Sequence, residues 1–360
     1  MRTRTLPTGE GAELELAVRE ATVCLAEGET VALPTETVYG LAADALRPDA
    51  LVKIFEAKER PFFDPLIVHL PDADWLERIC VIPEESRALV EALTARFWPG
   101  PLTLVLPRQP LVPDLVTAGL DTVAVRISAH PVFQAVCQRF GGPLAAPSAN
   151  RFGRISPTAA AHVESELDGR IPLVLDAGPT EHGIESTIIV VEGTRLRLLR
   201  AGPITAEDLA QVWKERCVAD GRTPDAAEVD RFFADLGISF ERLLRGAGAS
   251  IVEAPGRMKS HYAPRTPLRI LDLGTHISST AQARFGSLAF STASDATDFA
   301  VEEILSPTAD LREAAATLFA KLRRLDEAGL HMILAEAVPE HGLGIAIMDR
   351  LRKAAAEHAD

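Results

Sequence analysis

Side chains that bind anions recur where the predicted strands and helices end. Two threonines, Thr35 and Thr37, follow the first predicted strand in the segment PTETVYG. Residues two apart in an extended chain point to the same side, so both hydroxyls face one way. Lys58 and Arg60 follow a predicted helix; lysine supplies a point charge and arginine a bidentate fork, which together suit a phosphate or carboxylate. An ordinary turn, and cations that complement a helix dipole, would give the same segments.

Other polar residues stand at further strand ends, where open α/β sheets usually bind their ligands. In the segment LAAPSAN an apolar strand breaks at a proline, and its small side chains let the backbone approach a ligand. The remaining candidates are His69, Thr122, Arg126, Ser148, Asn150, Ser156, Ser186 and Arg200. Each one taken alone fits a structural role about equally well. Together they predict an α/β pocket rich in hydroxyls and arginines that suits an anion, but they identify no reaction.

Several well-known site motifs are absent from the sequence. It contains no GxxxxGK[ST] phosphate loop, no GxGxxG after a strand, no HExxH and no GxSxG. The nine histidines show no metal-ligand spacing, and the four cysteines stand far apart, which predicts free thiols in apolar sites. We therefore predict no protein metal site, and side chains must hold the phosphates of any bound nucleotide.

Helical and strand periods alternate over the first two hundred residues, which predicts an α/β domain built on a twisted mixed sheet. The predicted helices are 14–26, 49–57, 84–97, 131–140, 158–167 and 206–216. The predicted strands are 30–33, 66–70, 102–106, 123–127, 144–146, 173–175, 187–191 and 196–199. Several strands are apolar on both faces, as expected where helices cover a sheet.

The chain is longer than one hydrophobic core usually serves, and its pattern divides it into three parts. Residues 12–210 form the first α/β domain, and residues 211–266 form a connecting segment with a possible helix at 226–236 and a proline-rich linker. Residues 267–360 resume the α/β pattern as a smaller, Rossmann-like domain. That domain has predicted strands at 268–273, 287–290 and 331–334 and helices at 309–328 and 343–356.

The formal net charge of −14 argues against a broad nucleic-acid surface, which needs a basic excess to displace counterions. An acidic chain with a local cationic pocket suits a small anionic ligand instead. No apolar run approaches the ~18 residues that span a bilayer, and the N-terminal residues do not resemble a secretion signal. We therefore expect a cytoplasmic protein that does not associate with membranes.

Taken together, these segments resemble the threonylcarbamoyl-AMP synthase family, whose catalytic unit is the YrdC-like domain. The resemblance follows seven motifs in family order: PTETVYGL, KxR with PLIVH, WPGPLTLVL, TVAVR, APSAN, ESTIIV and LRAGPI. The linker PGRMKSHYAP and the closing segment AEAVPEHGLGIAIMDRLRKAA resemble the longer, two-domain form. One motif would be weak, whereas seven in order make coincidence implausible.

The resemblance implies a nucleotidyltransferase that converts L-threonine, bicarbonate or CO₂, and ATP into threonylcarbamoyl-adenylate and pyrophosphate, with Mg²⁺ assisting. The product would serve threonylcarbamoyladenosine formation in tRNA, through a downstream transferase that holds the RNA. By the same resemblance, the threonine-binding residues are Thr37, His69, Arg126, Ala146 and Ser186. The ATP-binding residues are Arg60, Asp64, Thr122, Ser148, Asn150, Ser156, Arg200 and the linker residue Tyr262, with Lys58 and Arg60 acting on the phosphates.

Two features of this pattern bear on the site. Where the family commonly has asparagine this chain has Asp64, whose carboxylate would repel phosphate unless a cation lies between them. The linker at 258–264 carries Tyr262, which suggests a lid that folds over the pocket and excludes water from an unstable intermediate.

Two other functions remain open from the sequence. A related carbamoyl-adenylate-forming O-carbamoyltransferase would use the same domain, although the zinc-binding CxxC pairs of hydrogenase-maturation relatives are absent. A non-catalytic RNA-binding module would require a basic face, which the net charge disfavours.

Overall fold

The computed structural model describes residues 2–236, 262–271, 284–292 and 299–356, which form two α/β domains. The larger domain is built on a ten-stranded mixed sheet in the order β1-β8-β2-β3-β7-β4-β6-β5-β9-β10. Its strands are β1 (Arg4–Pro7), β2 (Val31–Leu33), β3 (Gly40–Asp44), β4 (Ile67–His69), β5 (Leu102–Pro107), β6 (Thr122–Arg126), β7 (Leu144–Ala145), β8 (Leu173–Asp176), β9 (Thr187–Glu192) and β10 (Arg195–Arg200).

Helices cover both faces of this sheet. The helices of the larger domain and its connecting segment are α1 (Ala12–Ala26), α2 (Pro48–Lys58), α3 (Leu76–Ile79), α4 (Glu84–Phe97), α5 (Asp114–Thr117), α6 (Pro131–Phe140), α7 (Ala160–Leu167), α8 (Ala206–Ala219) and α9 (Ala226–Asp235), with a 3₁₀ turn at Ala73–Trp75. Alternate side chains of a strand point to opposite faces. Leu41 and Ala43 therefore belong to one buried cluster, with residues of α2, α4, α7 and α8, whereas Ala42 belongs to another, with residues of α1 and α6.

The smaller domain is a four-stranded parallel sheet in the order β11-β14-β12-β13. Its elements are β11 (Leu268–Leu271), β12 (Phe285–Ala289), β13 (Val301–Ile304), α10 (Leu311–Glu327), β14 (Met332–Glu336) and α11 (Leu343–Ala355). Its core joins Leu318 and Phe319 of α10 to Ile347 and Leu351 of α11. Asp310 caps α10 by accepting hydrogen bonds from the backbone N–H groups of the first turn.

The two domains meet over an interface that is apolar at its centre. The core of the smaller domain includes four residues of the larger one: Val38, Ile155, Ile184 and Ala201. Gly183 has a φ of 68°, and a Cβ atom there would lie 2.4 Å from the carbonyl oxygen of Ala316 in α10. Glycine is required at this position because the two backbones approach so closely.

The predicted fold class is confirmed: a mixed sheet flanked by helices and a second, smaller parallel α/β sheet. Every predicted strand and helix that falls on the described residues is present, with boundaries that differ by up to three residues. The sequence analysis missed β1, β3, β13 and the two four-residue helices α3 and α5. The small, weakly β-favouring residues of β3 (GLAAD) hide it directly after a turn motif. The predicted linker residues 253–261 lie outside the described part of the chain.

Two further properties concern the cysteines and the helices of the described residues. Cys24, Cys80, Cys137 and Cys217 are free thiols, and all but Cys24 are buried. Within the described ranges, none of the helices is both long and apolar enough to cross a membrane.

The central position of β3 predicts a strong dependence of stability on its apolar side chains. Leu41 is fully buried, so L41A should lower the free energy of unfolding by about 2–5 kcal/mol through lost transfer energy and a residual cavity. The matched control L16A removes the same atoms from a side chain on α1 that is 44% exposed, and should change stability by less than about 0.5 kcal/mol. Urea denaturation of both variants measures the difference, and similar losses would contradict this account of the core.

Candidate active site

A pocket opens where β2, β4, β6, β7 and β10 end. Three arginines and a histidine line it together with hydroxyl and small side chains. The lining residues are Thr35, Thr37, Val38, Gly40, Arg60, Ile67, His69, Arg126, Ala146, Pro147, Ser148, Glu185, Ser186, Arg200 and Tyr262. Three guanidinium groups against one carboxylate give the pocket a cationic character that suits an anion.

The turn after β2 is organised by its first threonine. Thr35 Oγ1 accepts hydrogen bonds from the backbone N–H groups of Thr37 and Val38, at 3.1 and 3.2 Å, and donates to the carbonyl oxygen of Val38. Such side-chain-to-backbone bonds stabilise a turn without a helix or a sheet partner. The two threonine hydroxyls lie 2.8 Å apart, so Thr35 also orients Thr37 at the pocket wall.

His69 and Arg126 form a buried pair at adjacent positions of β4 and β6. Arg126 Nε donates to His69 Nε2 at 2.8 Å, and its Nη2 donates to Thr37 Oγ1 at 3.2 Å. Burial, reinforced by the charge of Arg126, holds the pKa of His69 well below its usual value. His69 is therefore neutral at physiological pH, and Nε2 is the acceptor because Arg126 can only donate.

Glu36 lies behind this pair. Its Oε2 accepts hydrogen bonds from the Ser128 hydroxyl and from the backbone N–H of Ala129, and its Oε1 lies 3.7 Å from Arg126 Nη1. The carboxylate thus partly balances the charge of the buried guanidinium. The network holds the side chain of Arg126 in one direction.

The loop after α2 places Arg60 in the pocket. Glu59 ends the helix in a left-handed conformation, with a φ of 54°, and Arg60 then donates to the carbonyl oxygens of Asp64 and Pro65. Arg60 Nη2 also lies 2.9 Å from Asp64 Oδ2. Burial raises the pKa of Asp64 and lowers that of Arg60, because the loss of hydration outweighs their mutual attraction for both groups.

Lys58 lies beneath the pocket and not in its lining. Its ammonium group donates to the carbonyl oxygens of Ser148 and Asn150, each at 2.5 Å, and thereby fastens the loop that follows β7. Burial, with a contribution from Arg60, lowers the pKa of Lys58 well below its usual value. Asn150 in turn donates to the carbonyl oxygens of Arg151 and Arg154. This network gives the Ser148 side chain a rigid base.

Ser186 and Arg200 form the opposite wall, at the adjacent ends of β9 and β10. Arg200 Nε donates to the Ser186 carbonyl oxygen and its Nη2 donates to Ser186 Oγ, both at 3.0 Å. The Ser186 hydroxyl also lies 2.8 Å from Thr103 Oγ1. Gly202 permits this packing, since a Cβ atom there would lie 2.4 Å from the backbone nitrogen of Thr187.

Tyr262 completes the wall from the end of the linker. It is buried in a left-handed conformation with a φ of 65°, which is unusual for a residue other than glycine and marks a tightly determined position. The next residue, Ala263, donates its N–H to the carbonyl oxygen of Gly153 at 2.9 Å. Of the predicted lid at 258–264, residues 258–261 lie outside the described residues.

Nine of the fourteen predicted site residues line this one pocket. All five residues predicted for threonine lie there: Thr37, His69, Arg126, Ala146 and Ser186. So do Arg60, Ser148, Arg200 and Tyr262 from the nucleotide set. The structure places the other five outside the lining: Lys58, Asp64, Asn150 and Ser156 are buried around the pocket, and Thr122 is half-buried at the start of β6.

The sequence analysis did not single out several lining residues, namely Val38, Gly40, Ile67, Pro147 and Glu185. Each lies within three residues of a predicted one, so the whole motif, and not the single residue, indicates the site. Glu185 is the most informative of them. Its carboxylate accepts a hydrogen bond from Ser156 Oγ at 2.5 Å, which connects Ser156 to the wall it does not itself line.

The donor set around the pocket does not form a cage for a metal ion. The described residues contain no group of three or more His, Cys, Asp and Glu side chains placed to hold one. Mg²⁺ in nucleotide enzymes is usually held by the phosphates and one or two carboxylates, so it needs fewer protein ligands than a site formed by the protein alone. Glu185 lines the pocket and Asp64 pairs with Arg60, so these two carboxylates are candidates for such a role.

Comparisons with known proteins agree with this architecture. Residues 23–202 match the Sua5_yciO_yrdC family model, described as telomere recombination, and residues 204–356 match the model of the threonylcarbamoyl-AMP synthase C-terminal domain. The threonylcarbamoyl-AMP synthase of Pyrococcus abyssi is 38% identical over 344 residues, covering 94% of each chain. That of Bacillus subtilis is 40% identical over 349 residues, covering 94% of this chain and 92% of the relative.

A solved structure is similar over nearly the whole chain. The crystal structure of P. abyssi Sua5 complexed with L-threonine has a TM-score of 0.81 at 36% sequence identity, and 98% of each chain is covered. Family models that match both domains, together with relatives of this identity and coverage, show that the chain belongs to the two-domain threonylcarbamoyl-AMP synthase family.

Proposed function

We propose that this protein is a threonylcarbamoyl-AMP synthase, which forms threonylcarbamoyl-adenylate and pyrophosphate from L-threonine, bicarbonate and ATP. One observation carries the proposal: residues expected to bind threonine and residues expected to bind ATP line the same pocket. Reactants held side by side in this way react in an effectively unimolecular step. The family relationship and the threonine complex of the P. abyssi protein support the assignment.

The threonine side of the pocket is formed by Thr37, His69, Arg126, Ala146 and Ser186. A guanidinium fork suits a carboxylate, so Arg126 pairs with the carboxylate of threonine, and Thr37 beside it offers a hydroxyl. Neutral His69 keeps Arg126 in place without adding a positive charge that would repel the amino group. The small side chain of Ala146 leaves room for the substrate.

The nucleotide side is formed by Arg60, Ser148, Arg200 and Tyr262. The carbamate of threonine attacks the α-phosphate of ATP through one of its oxygens, and pyrophosphate leaves. Fixed cations aimed at the phosphates stabilise the charge that develops in such a transfer, and no covalent enzyme intermediate is needed. Mg²⁺ bound to the phosphates would supply further neutralising charge. Tyr262 lines this side, and its ring would help to exclude water from the reaction.

The product, threonylcarbamoyl-adenylate, is a mixed anhydride. Its threonylcarbamoyl group must then be transferred to tRNA. The net charge of −14 supports a second protein, a threonylcarbamoyl transferase, as the one that holds the RNA. We therefore propose little direct affinity of this chain for tRNA.

A product assay with labelled bicarbonate tests the function directly. The purified protein should form labelled threonylcarbamoyl-adenylate and release pyrophosphate only when threonine, bicarbonate, ATP and Mg²⁺ are all present. Pyrophosphate release that depends on carbamoyl phosphate and not on threonine would instead indicate an O-carbamoyltransferase. Salt-sensitive tRNA binding without any release would indicate an RNA-binding module.

Replacement of Arg60 should weaken the nucleotide side specifically. Hydrogen bonds to charged groups contribute ~1.5–3 kcal/mol each, so R60A should lower kcat/KM for ATP about ten- to a hundredfold. The matched control R151A removes a half-exposed arginine that pairs with Glu59 outside the pocket, and should change kcat/KM less than about twofold. Steady-state pyrophosphate release measures both variants. Indistinguishable values for the two would remove Arg60 from the site.

The buried state of His69 predicts a dependence of stability on pH. Its pKa is lower in the folded protein than in the unfolded chain, so the unfolded chain takes up a proton first as the pH falls below about 6.5. The folded state therefore loses stability between pH 7 and pH 5, by about 1–2 kcal/mol for this group. The H69Q variant has no titrating group at this position, so its free energy of unfolding should fall by about 1–2 kcal/mol less than that of the wild type between pH 7 and pH 5. Urea unfolding at both pH values compares them, and equal losses would show that His69 does not contribute.

A further inference from the structure

A single arginine of the smaller domain reaches the wall of the pocket. Arg350 lies on α11 and is 1% exposed. Its Nε lies 3.1 Å from Glu185 Oε2, and its Nη1 donates to the carbonyl oxygen of Ala201 at 2.6 Å. Both contacts cross the domain interface. Arg350 itself does not line the pocket.

The two contacts of Arg350 flank the wall formed by Ser186 and Arg200. Glu185 directly precedes Ser186, and Ala201 directly follows Arg200. Arg200 holds Ser186 by two hydrogen bonds, so Arg350 secures this pair from both of its chain neighbours. Ser156 is attached to the same carboxylate through its hydroxyl.

Arg350 also supports the linker tyrosine. Its guanidinium carbon lies 5.5 Å from the centroid of the Tyr262 ring, within the range of a cation–π interaction. Phe319 of α10 packs against the same ring, with the centroids 5.6 Å apart. The smaller domain therefore supplies the packing on which Tyr262 rests.

The charge of Arg350 is balanced locally. Glu185 and Asp349 lie within 3.1 Å of its nitrogens, and Lys353 Nζ lies 2.8 Å from Asp349. Without Arg350, the Glu185 carboxylate would lose its ion-pair partner and remain buried beside the pocket. A buried carboxylate in that state attracts Arg200, with which it already interacts electrostatically, and it repels phosphate.

We propose that Arg350 is a positioning residue for the nucleotide side of the pocket. It neutralises Glu185, leaves Arg200 bonded to Ser186, and supports the ring of Tyr262. The smaller domain thus completes the ATP site through one side chain. The identity of the ligand as ATP rests on the proposed function, whereas the contacts that join Arg350 to the pocket wall do not.

A second buried arginine provides a matched control. Arg323 of α10 crosses the same interface, 3.1 Å from Glu166 of α7, and donates to the carbonyl oxygen of Ile155. Neither Glu166 nor Ile155 lines the pocket. Loss of Arg323 therefore weakens the attachment of the two domains without unpairing a carboxylate at the active site.

The test compares ATP affinity by calorimetry in the full-length wild type, R350M and R323M. R350M should bind ATP about ten- to a hundredfold more weakly, and R323M should stay within about twofold of the wild type. Adding E185Q to R350M removes the unbalanced carboxylate and should restore at least part of the lost affinity. A role in domain attachment alone predicts equal losses in R350M and R323M and no recovery with E185Q; either result overturns the proposal.

A milder variant covers the case in which R350M does not fold. R350K keeps the cation and loses the bond to Ala201, and it should weaken ATP binding about three- to tenfold while circular dichroism stays unchanged. Unchanged affinity in R350K would overturn the proposal. Calorimetry measures binding without turnover, so a protein that binds ATP but forms no threonylcarbamoyl-adenylate would refute the function and leave this inference standing.

Discussion

The structure is arranged around the burial of three guanidinium groups in one pocket. Burial lowers the pKa of Arg60, Arg126 and Arg200, which reflects the loss of hydration of their charges. Such groups persist in a fold only when hydrogen bonds and counter-charges replace water. Carbonyl oxygens, a neutral histidine and serine hydroxyls supply the bonds here, and an anionic substrate supplies charge when it binds. The pocket is therefore polar in its walls although apolar cores lie on both sides of its sheet.

This requirement explains why the second domain is packed so closely on the first. The interface combines apolar contacts around Val38 and Ile184 with two buried arginines, Arg323 and Arg350. An apolar interface alone would join the domains without fixing one relative position to within a hydrogen-bond length. The buried ion pairs add that directional constraint, because a misplaced partner leaves an unpaired charge.

Much of the fold and of the site could be predicted from the sequence. The spacing of apolar residues predicts the helices and strands, and polar residues at the ends of strands predict the position of the pocket. Arg60, Ser148, Ser186 and Arg200 stand in motifs next to strand or helix ends, and the structure brings them together. Lys58 illustrates the limit, because its type suggested a phosphate contact whereas its ammonium group binds two backbone carbonyls. Contacts between positions far apart, such as Glu185 and Arg350, leave no local pattern in one sequence.

The separation of Glu185 and Arg350 along the chain affects how the protein folds during translation. Glu185 and Arg350 are 165 residues apart, and ribosomes add about 5–20 residues per second. The carboxylate therefore emerges roughly ten to thirty seconds before its partner exists. During that interval the Glu185 carboxylate of the nascent larger domain has no Arg350 partner, and the apolar face around Ile184 is not yet covered by the smaller domain. Molecular chaperones that shield such surfaces would act on this intermediate of translation.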